Sequence, residues 1–225
     1  LDRDGYRDNN GDGLSFLDCV YYATVSLSTT GYGDITPVTD QARLINFLVI
    51  TPLRVLDSTK DWEWIGEMWA YGLWAFGIRP HDIVLFAFSY GTFIGFWGAH
   101  YACEKIGCLV LSTGSATTEN RIKTILDMGV TVVCSTPTYA LRMWQVASEM
   151  GIDLARDTSV EKVIVSGEPA GSIPAVKRQL EQAWGAKVGD TAGMTEIGSI
   201  MIFECSRQPG GTHIIEDHFI EETLA

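Results

Sequence analysis

The sequence predicts an α/β fold in which helices flank a mostly parallel sheet, with a short helical segment preceding that fold. Two observations lead to this prediction. Beyond Asp57, short apolar runs of strand length alternate with longer runs of helix length, a pattern typical of parallel sheets covered on both faces. Before that point a short apolar stretch runs directly into a glycine-rich turn. We therefore divide the chain into two regions, residues 1–56 and residues 57–225.

Composition limits the functions that these two regions can perform. The chain has 225 residues, a formal net charge of −12 and an isoelectric point near 4.6, which argues against a nucleic-acid partner because such proteins carry a basic surface. The five cysteines are odd in number and lack paired spacing, so we expect reduced core thiols and a cytoplasmic location. They are Cys19, Cys103, Cys108, Cys134 and Cys205.

In the first region, a short predicted helix is followed by a run typical of an ion pore. Asp2–Gly13 is predicted to be a polar loop, and Phe16–Ser28 an apolar helix too short to span a bilayer. The run that follows, TTGYGD, is typical of backbone that turns carbonyl oxygens toward a dehydrated ion, since its glycines allow the required backbone angles. The predicted filter residues are Thr29, Thr30, Gly31, Tyr32 and Gly33.

This region resembles the pore of bacterial two-helix potassium channels over the string FLDCVYYATVSLSTTGYGDITPVTDQARLINFLVITPLRVL. The resemblance implies K⁺ at the filter, four subunits around one axis, and a membrane partner if the pore works. In that family an outer helix precedes the pore helix and a full inner helix follows. We expect an incomplete pore, because no outer helix is visible and the inner helix stops near Leu56.

The second region carries the alternating elements. Ser58 and Asp61 form a capping box that opens a tryptophan-rich helix, and Gly77 ends it. The predicted strands are Asp82–Phe88, Cys108–Leu111, Val130–Cys134, Lys162–Val165, Lys187–Asp190 and Ile197–Glu204. The further predicted helices are Phe93–Ile106, Thr118–Met128, Tyr139–Met150 and Ile173–Trp184.

Ligands of such sheets bind beyond the carboxyl ends of the strands. The loops at these ends are rich in Ser, Thr and Gly, which present hydroxyls and backbone amides to an anionic group. This composition indicates a nucleotide or phosphate ligand. The loops are Ser89–Thr92, Ser112–Ala116, Ser135–Thr138, Ser166–Gly171 and Thr191–Ile197.

Several strings in this region resemble the phenylacetate–coenzyme A ligase family of adenylate-forming enzymes. They are SYGTFIGFWGAHYACEKIG, STPTYALRM, SGEPAG, GDTAGMTEIG and GTHIIEDHF, in the family's order and spacing. The resemblance implies a partial adenylate-forming N-terminal domain. It also implies ATP, AMP, magnesium and coenzyme A as cofactors, with an aryl carboxylic acid as the substrate.

The resemblance also implies roles for single residues. Thr195 would approach the α-phosphate and Glu196 would hold magnesium, the two catalytic assignments. The implied nucleotide-binding residues are Gly167, Glu168, Pro169, Asp190, Thr191, Ala192, Gly193, Met194 and Thr195. The implied substrate pocket, which would hold the acid, contains Tyr90, Gly91, Phe93 and His100.

Three departures from the family predict impaired or absent activity. The family's Ser/Thr/Gly-rich phosphate loop is replaced by the apolar string RLINFLVIT before Pro52. Ala192 stands where the family has an aromatic residue that stacks on adenine. The resemblance further implies a ribose-binding Asp and a C-terminal domain with a catalytic Lys, which would lie beyond Ala225.

A looser set of residues suggests zinc. Cys205, His213 and His218 carry zinc-ligand side chains, but no Cys-x-x-Cys pair anchors them, and a cluster that only stabilises the fold is the alternative. His100 is open to a second interpretation as a hydrogen-bonded core histidine.

Three hypotheses for the whole chain follow. The chain is a ligase-like core with little activity, a potassium-pore fragment, or a fusion in which neither part works. The ligase resemblance implies a dimer and the channel resemblance a tetramer, so the homo-oligomeric state stays open. Partition between membrane and soluble fractions, followed by the thermal response to ATP and magnesium, separates the three.

Overall fold

The computed structural model describes residues 6–8, 35–37, 39, 56–90 and 94–222. In the first region, β1 (Tyr6–Asp8) pairs antiparallel with β2 (Ile35–Pro37). The sequence predicted a polar loop around β1, so this strand is a correction; its pairing partner lies far along the chain and could not be read locally. The predicted helix Phe16–Ser28 lies outside the described residues.

In the second region, helices and strands alternate as predicted. The helices are α1 (Thr59–Phe76), α2 (Ile94–Ile106), α3 (Thr118–Met128), α4 (Pro137–Glu149), α5 (Leu154–Asp157) and α6 (Pro174–Trp184). The strands are β3 (Ile83–Phe86), β4 (Leu109–Ser112), β5 (Val132–Ser135), β6 (Lys162–Val165), β7 (Lys187–Met194), β8 (Ser199–Glu204) and β9 (Thr212–Ile214).

Among the described residues these seven strands form one sheet, in the order β4-β3-β5-β6-β7-β8-β9. The first five positions in that order pair in parallel, and β8 and β9 add antiparallel strands at one end. The predicted α/β fold with a mostly parallel sheet and flanking helices is therefore confirmed. β9 was not predicted.

The first helix of this region begins and ends as its sequence requires. The Ser58 hydroxyl accepts a hydrogen bond from the Asp61 amide, and the Asp61 carboxylate accepts one from the Ser58 amide. Gly77 ends the helix with a φ of 103°, a conformation that favours glycine. α1 and α2 pack closely where Gly98 of α2 faces Trp69 of α1. A Cβ on Gly98 would lie only 2.6 Å from the Trp69 ring.

The core explains why the parallel strands lack polar alternation. Val84, Leu85 and Phe86 of β3 are fully buried, and all four residues of β5 are buried too. Strands covered on both faces bury every side chain, so their polar residues gather where the strands end. Ligand chemistry is accordingly confined to the loops at the edge of the sheet.

Within residues 56–90 and 94–222, every helix is too short or too polar to cross a bilayer.

Candidate functional site

The loop after β6 lies beside the second half of β7 at the carboxyl edge of the sheet. The sequence predicted a loop over Thr191–Ile197, but Thr191–Met194 continue β7 and only Thr195–Ile197 form a turn. Val165 and Asp190 are register partners in the two strands. Just beyond them, the Ser166 hydroxyl donates to the Thr191 carbonyl at 3.0 Å, and the Thr191 hydroxyl donates to the Val165 carbonyl at 3.3 Å. These crossed hydrogen bonds fix the loop after β6 to the second half of β7. The sequence-predicted residues 167–169 and 190–196 are thus brought together.

This edge is open to solvent although the strands behind it are buried. Gly167 and Pro169 are exposed on the loop after β6, and Ala192, Gly193 and Met194 are exposed in the second half of β7. The pairing of β7 with β8 shifts register between Ala192 and Gly193, as expected of a bulge, which re-aims side chains near binding sites. These exposed residues, together with Glu168, form a flat surface that a planar ligand can reach, and we call it the shelf.

Glu168 ties the shelf to the neighbouring helix. Its carboxylate accepts a hydrogen bond from the Thr138 hydroxyl at 2.7 Å and another from the Thr138 amide at 3.2 Å. Thr138 lies in the first turn of α4, where backbone amides have no helical acceptor and favour an anion. The carboxylate therefore fixes the loop after β6 against the loop after β5.

Asp190 lies beneath the turn formed by Pro169–Ser172. A Cβ on Gly171 would meet the Asp190 carboxylate oxygen at 2.3 Å, so only glycine allows this approach. Burial, and then the nearby Glu204 carboxylate, raise the pKa of Asp190 to about 6. Asp190 therefore keeps its proton to a higher pH than an ordinary aspartate does.

Glu204 anchors the same corner and was missed by sequence reasoning. It is 5% exposed, and its carboxylate accepts hydrogen bonds from Lys177 at 2.6 Å, from the Asp190 amide at 2.8 Å and from the Gly210 amide at 2.8 Å. Three donors satisfy the buried charge. The signal available in the sequence was a lone acid closing the apolar run of β8.

Thr195 and Glu196 lie on a 3₁₀ turn, Thr195–Ile197, that follows β7 directly. The Glu196 side chain is exposed, and Thr195 is partly buried. Magnesium binds through one or two carboxylates together with substrate phosphates and water, so an exposed carboxylate beside the shelf fits the predicted magnesium ligand. What Thr195 and Glu196 contact in a complex stays a prediction.

The predicted substrate-pocket residues Tyr90 and His100 do meet. The Tyr90 hydroxyl lies 2.8 Å from His100 Nδ1, and the other imidazole nitrogen lies 3.2 Å from Glu104. Tyr90 has a φ of 64°, uncommon for a bulky residue, and burial raises its pKa well above its usual range. Both interpretations of His100 are compatible with this contact. The other two pocket residues, Gly91 and Phe93, lie outside the described residues.

A buried arginine near the same edge was also missed. Arg121 is 3% exposed and donates to the Thr113 hydroxyl, the Gly114 carbonyl and the Tyr139 hydroxyl. Through these three neutral acceptors, Arg121 joins the loop after β4 to α4. A lone basic residue in an amphipathic helix gives no sign of such burial, so the sequence offered no signal for it.

The predicted zinc set is corrected. Cys205 Sγ and His213 Nε2 lie 3.1 Å apart, but His218 Nδ1 accepts a hydrogen bond from the Trp64 indole at 3.1 Å. Across the described part of the chain no three His, Cys, Asp or Glu side chains converge as metal ligands. β9 brings His213 to Cys205, whereas the turn after β9 carries His218 to α1. The filter residues Thr29–Gly33 lie outside the described residues.

This arrangement has the fold of the acyl–coenzyme A ligases that form adenylates. A solved structure of 2-hydroxyisobutyryl-CoA ligase, in complex with 2-HIB-AMP and CoA, matches with a TM-score of 0.65 and 28% identity, covering 69% of this chain and 33% of that one. The phenylacetate–coenzyme A ligase of Aromatoleum evansii is 34% identical over 174 residues, which are 77% of this chain and 39% of the relative. The chain thus spans about two fifths of the length of this relative.

The N-terminal residues match a different class of protein. The ion channel family model matches residues 5–53. The hyperpolarization-activated voltage-gated potassium channel of Methanocaldococcus jannaschii is 55% identical over 31 residues, 14% of this chain and 15% of that protein. The resemblance of the chain to channel sequence at its start and to phenylacetate–coenzyme A ligases over most of its length is thereby confirmed.

Proposed function

We propose that residues 57–222 form the adenylate-binding core of an aryl-acid–coenzyme A ligase. In this reaction the carboxylate of the acid attacks the α-phosphate of ATP and releases pyrophosphate. The thiol of coenzyme A then attacks the acyl carbon and releases AMP. The observation that supports the proposal is the hydrogen bonding between the loop after β6 and the second half of β7, which brings the predicted nucleotide-binding residues into one exposed shelf.

The residues of the shelf and of the adjoining turn Thr195–Ile197 have distinct roles in this proposal. Gly167, Glu168 and Pro169 line the adenine with backbone and a rigid turn. Thr195 donates its hydroxyl to the α-phosphate, and Glu196 contributes a carboxylate to magnesium. The metal supplies positive charge where negative charge builds on the transferring phosphate.

The sequence before the ligase-like region limits the expected rate. The string RLINFLVIT occupies residues 43–51, in place of a Ser/Thr/Gly-rich phosphate loop. Apart from the hydroxyl of Thr51, this string offers neither a side-chain hydroxyl nor a glycine to the β- and γ-phosphates of ATP. We therefore expect AMP and acyl-adenylate to bind better than ATP, and pyrophosphate release to be slow.

The test compares nucleotide binding by variants of the full chain. Titration calorimetry with AMP should detect binding to the parent protein, and binding of AMP–magnesium should weaken in Glu196→Gln and Thr195→Ala. Glu149→Gln, which neutralises an exposed carboxylate in the last turn of α4, should bind as the parent does. Equal affinity in all three variants, or no AMP binding by the folded parent, would refute the proposal.

A second function is favoured by the channel match at residues 5–53. We propose that Thr29–Gly33 bind K⁺ through backbone carbonyls when four chains assemble. Reconstitution into liposomes with a potassium-sensitive dye tests this. Potassium flux that Gly31→Ala abolishes supports the pore, whereas a chain that stays out of the membrane fraction and conducts nothing contradicts it.

A further inference from the structure

Cys205 and His213 form a pair that neither proposed function uses. Cys205 follows β8 directly, and His213 is the central residue of β9. Phe203 and His213 are register partners across the two antiparallel strands. Because side chains alternate along a strand, Cys205 shares a face with Phe203 and lies diagonally opposite His213. The sheet itself therefore brings the thiol and the imidazole together.

The geometry of the pair is that of a nucleophile beside its base. His213 Nε2 lies 3.1 Å from Cys205 Sγ, within reach for transfer of the thiol proton. The His213 ring stacks on Phe203, with centroids 5.7 Å apart and planes 30° apart. An oriented base beside a thiol is the arrangement that activates cysteine nucleophiles.

Accessibility distinguishes this thiol from Cys103 and Cys134, and its histidine neighbour distinguishes it from Cys108, which is also partly exposed. Cys205 is partly exposed and His213 is exposed. Cys103 and Cys134 are 0% and 1% exposed, and the Cys108 thiol donates to the Arg79 carbonyl at 3.2 Å. The expectation that the cysteines are core thiols thus holds for Cys103 and Cys134 but fails for Cys108 and Cys205.

We propose that Cys205 is a modification site, activated by His213, that forms mixed disulfides with small-molecule disulfides of the glutathione type. His213 accepts the Cys205 proton, and the sulfur attacks one sulfur of the disulfide. A new S–S bond forms as the old one breaks, and the leaving thiolate takes up the proton from His213. One thiol and one disulfide are consumed and one of each is formed, so no further oxidant is needed.

The experiment treats the folded full chain with oxidised glutathione in the presence of EDTA and follows each cysteine by peptide mass mapping. Cys205 should be modified faster than the three other described cysteines, and Cys19 is read separately on its own peptide. His213→Gln should slow modification of Cys205 by about fivefold or more, since the thiol loses the base that activates it.

The matched control is His218→Gln, because His218 is bonded to Trp64 and not to Cys205. This variant should react as the parent does. His213→Asn is a second removal of the base, and circular dichroism reports whether each variant is folded. The proposal would be overturned if Cys205 were modified no faster than Cys103, or if Cys205 in folded His213→Gln and His213→Asn reacted as fast as in the parent.

Discussion

The Glu168 carboxylate accepts both the hydroxyl and the amide hydrogen bonds of Thr138, at 2.7 and 3.2 Å. This double contact joins the loop after β6 to the first turn of α4, which follows the adjacent strand β5. It places a carboxylate at the positive end of a helix, where an anion is favoured. The position of the shelf residues Gly167 and Pro169 depends on this contact.

Removing the contact between Glu168 and Thr138 should lower the affinity for nucleotide more than it lowers the free energy of unfolding. Glu168→Ala frees the loop after β6, so ordering it costs free energy on binding, and we expect AMP affinity to fall by about tenfold, equivalent to about 1.4 kcal/mol. Calorimetry measures the affinity, and a urea melt measures stability. Thr138→Val removes the hydroxyl but keeps the amide donor, so we expect a smaller loss of AMP affinity. Unchanged affinity in folded Glu168→Ala would contradict this role.

Gly98 should not tolerate a methyl group. A Cβ there would lie 2.6 Å from the Trp69 ring and 2.7 Å from the Ile65 side chain, so Gly98→Ala should lower the free energy of unfolding by about 1–3 kcal/mol. The matched control is Gly66→Ala in α1, where the nearest contact would be Tyr101 Cβ at 3.8 Å. That change should be neutral or stabilise by about 0.5–1 kcal/mol. Denaturant melts that show equal effects would disprove the close helix contact.

Asp190 should make stability fall as pH rises. Its pKa in the folded protein is about 6, raised from an ordinary 3.8, so the folded state holds a proton that the unfolded chain releases. The stabilisation is complete below the ordinary value and is lost as pH rises toward 6. Asp190→Asn should therefore be more stable than the parent at pH 7, by about 1–3 kcal/mol, and by less at pH 4.5.

Urea melts of parent and variant at both pH values measure this difference. Asp127→Asn, an exposed position near the end of α3, is the control and should show no such trend. A stability gain of Asp190→Asn that is the same at both pH values would exclude Asp190 as the group responsible.

The hydroxyl of Tyr139 should contribute to the stability of the fold. That oxygen accepts a hydrogen bond from the buried Arg121 guanidinium and lies 2.9 Å from the Thr118 hydroxyl. Tyr139→Phe leaves a buried cation short of an acceptor, which we expect to cost about 1–3 kcal/mol of unfolding free energy. Tyr71→Phe removes a hydroxyl from a side chain that is 45% exposed and should change little. Equal melts for the two variants would contradict this account.

Sequence patterns predicted the parallel strands because those strands are buried on both faces. The apolar run at Val132–Ser135 has no solvent-facing residue to break it, and the bounds of β6 and α3 match the prediction residue for residue. The capping box at Ser58 and the helix end at Gly77 were predicted because caps depend on neighbouring residues alone.

The elements that were missed depend on distant partners. β9 is a three-residue edge strand whose sequence, Thr212–Ile214, has no strand pattern of its own, and β7 continues past Asp190 because β8 pairs with its second half. Likewise, the ion pair of Lys177 with Glu204 joins residues that only the completed sheet brings together. The candidate nucleotide loop at Ser166–Gly171 was predicted because it follows the end of β6 directly, whereas Thr191–Met194, predicted as loop, continue strand β7.

Hydrogen–deuterium exchange with a non-hydrolysable acyl-adenylate analogue tests the central claim most directly. If the loop after β6, the second half of β7 and the turn after β7 form the adenylate site, the analogue should slow exchange in residues 166–171 and 190–197, with little change at the amino edge of the sheet around Asp82 and Glu161. Saturating analogue that leaves both of these segments unprotected while protecting another surface would contradict the account.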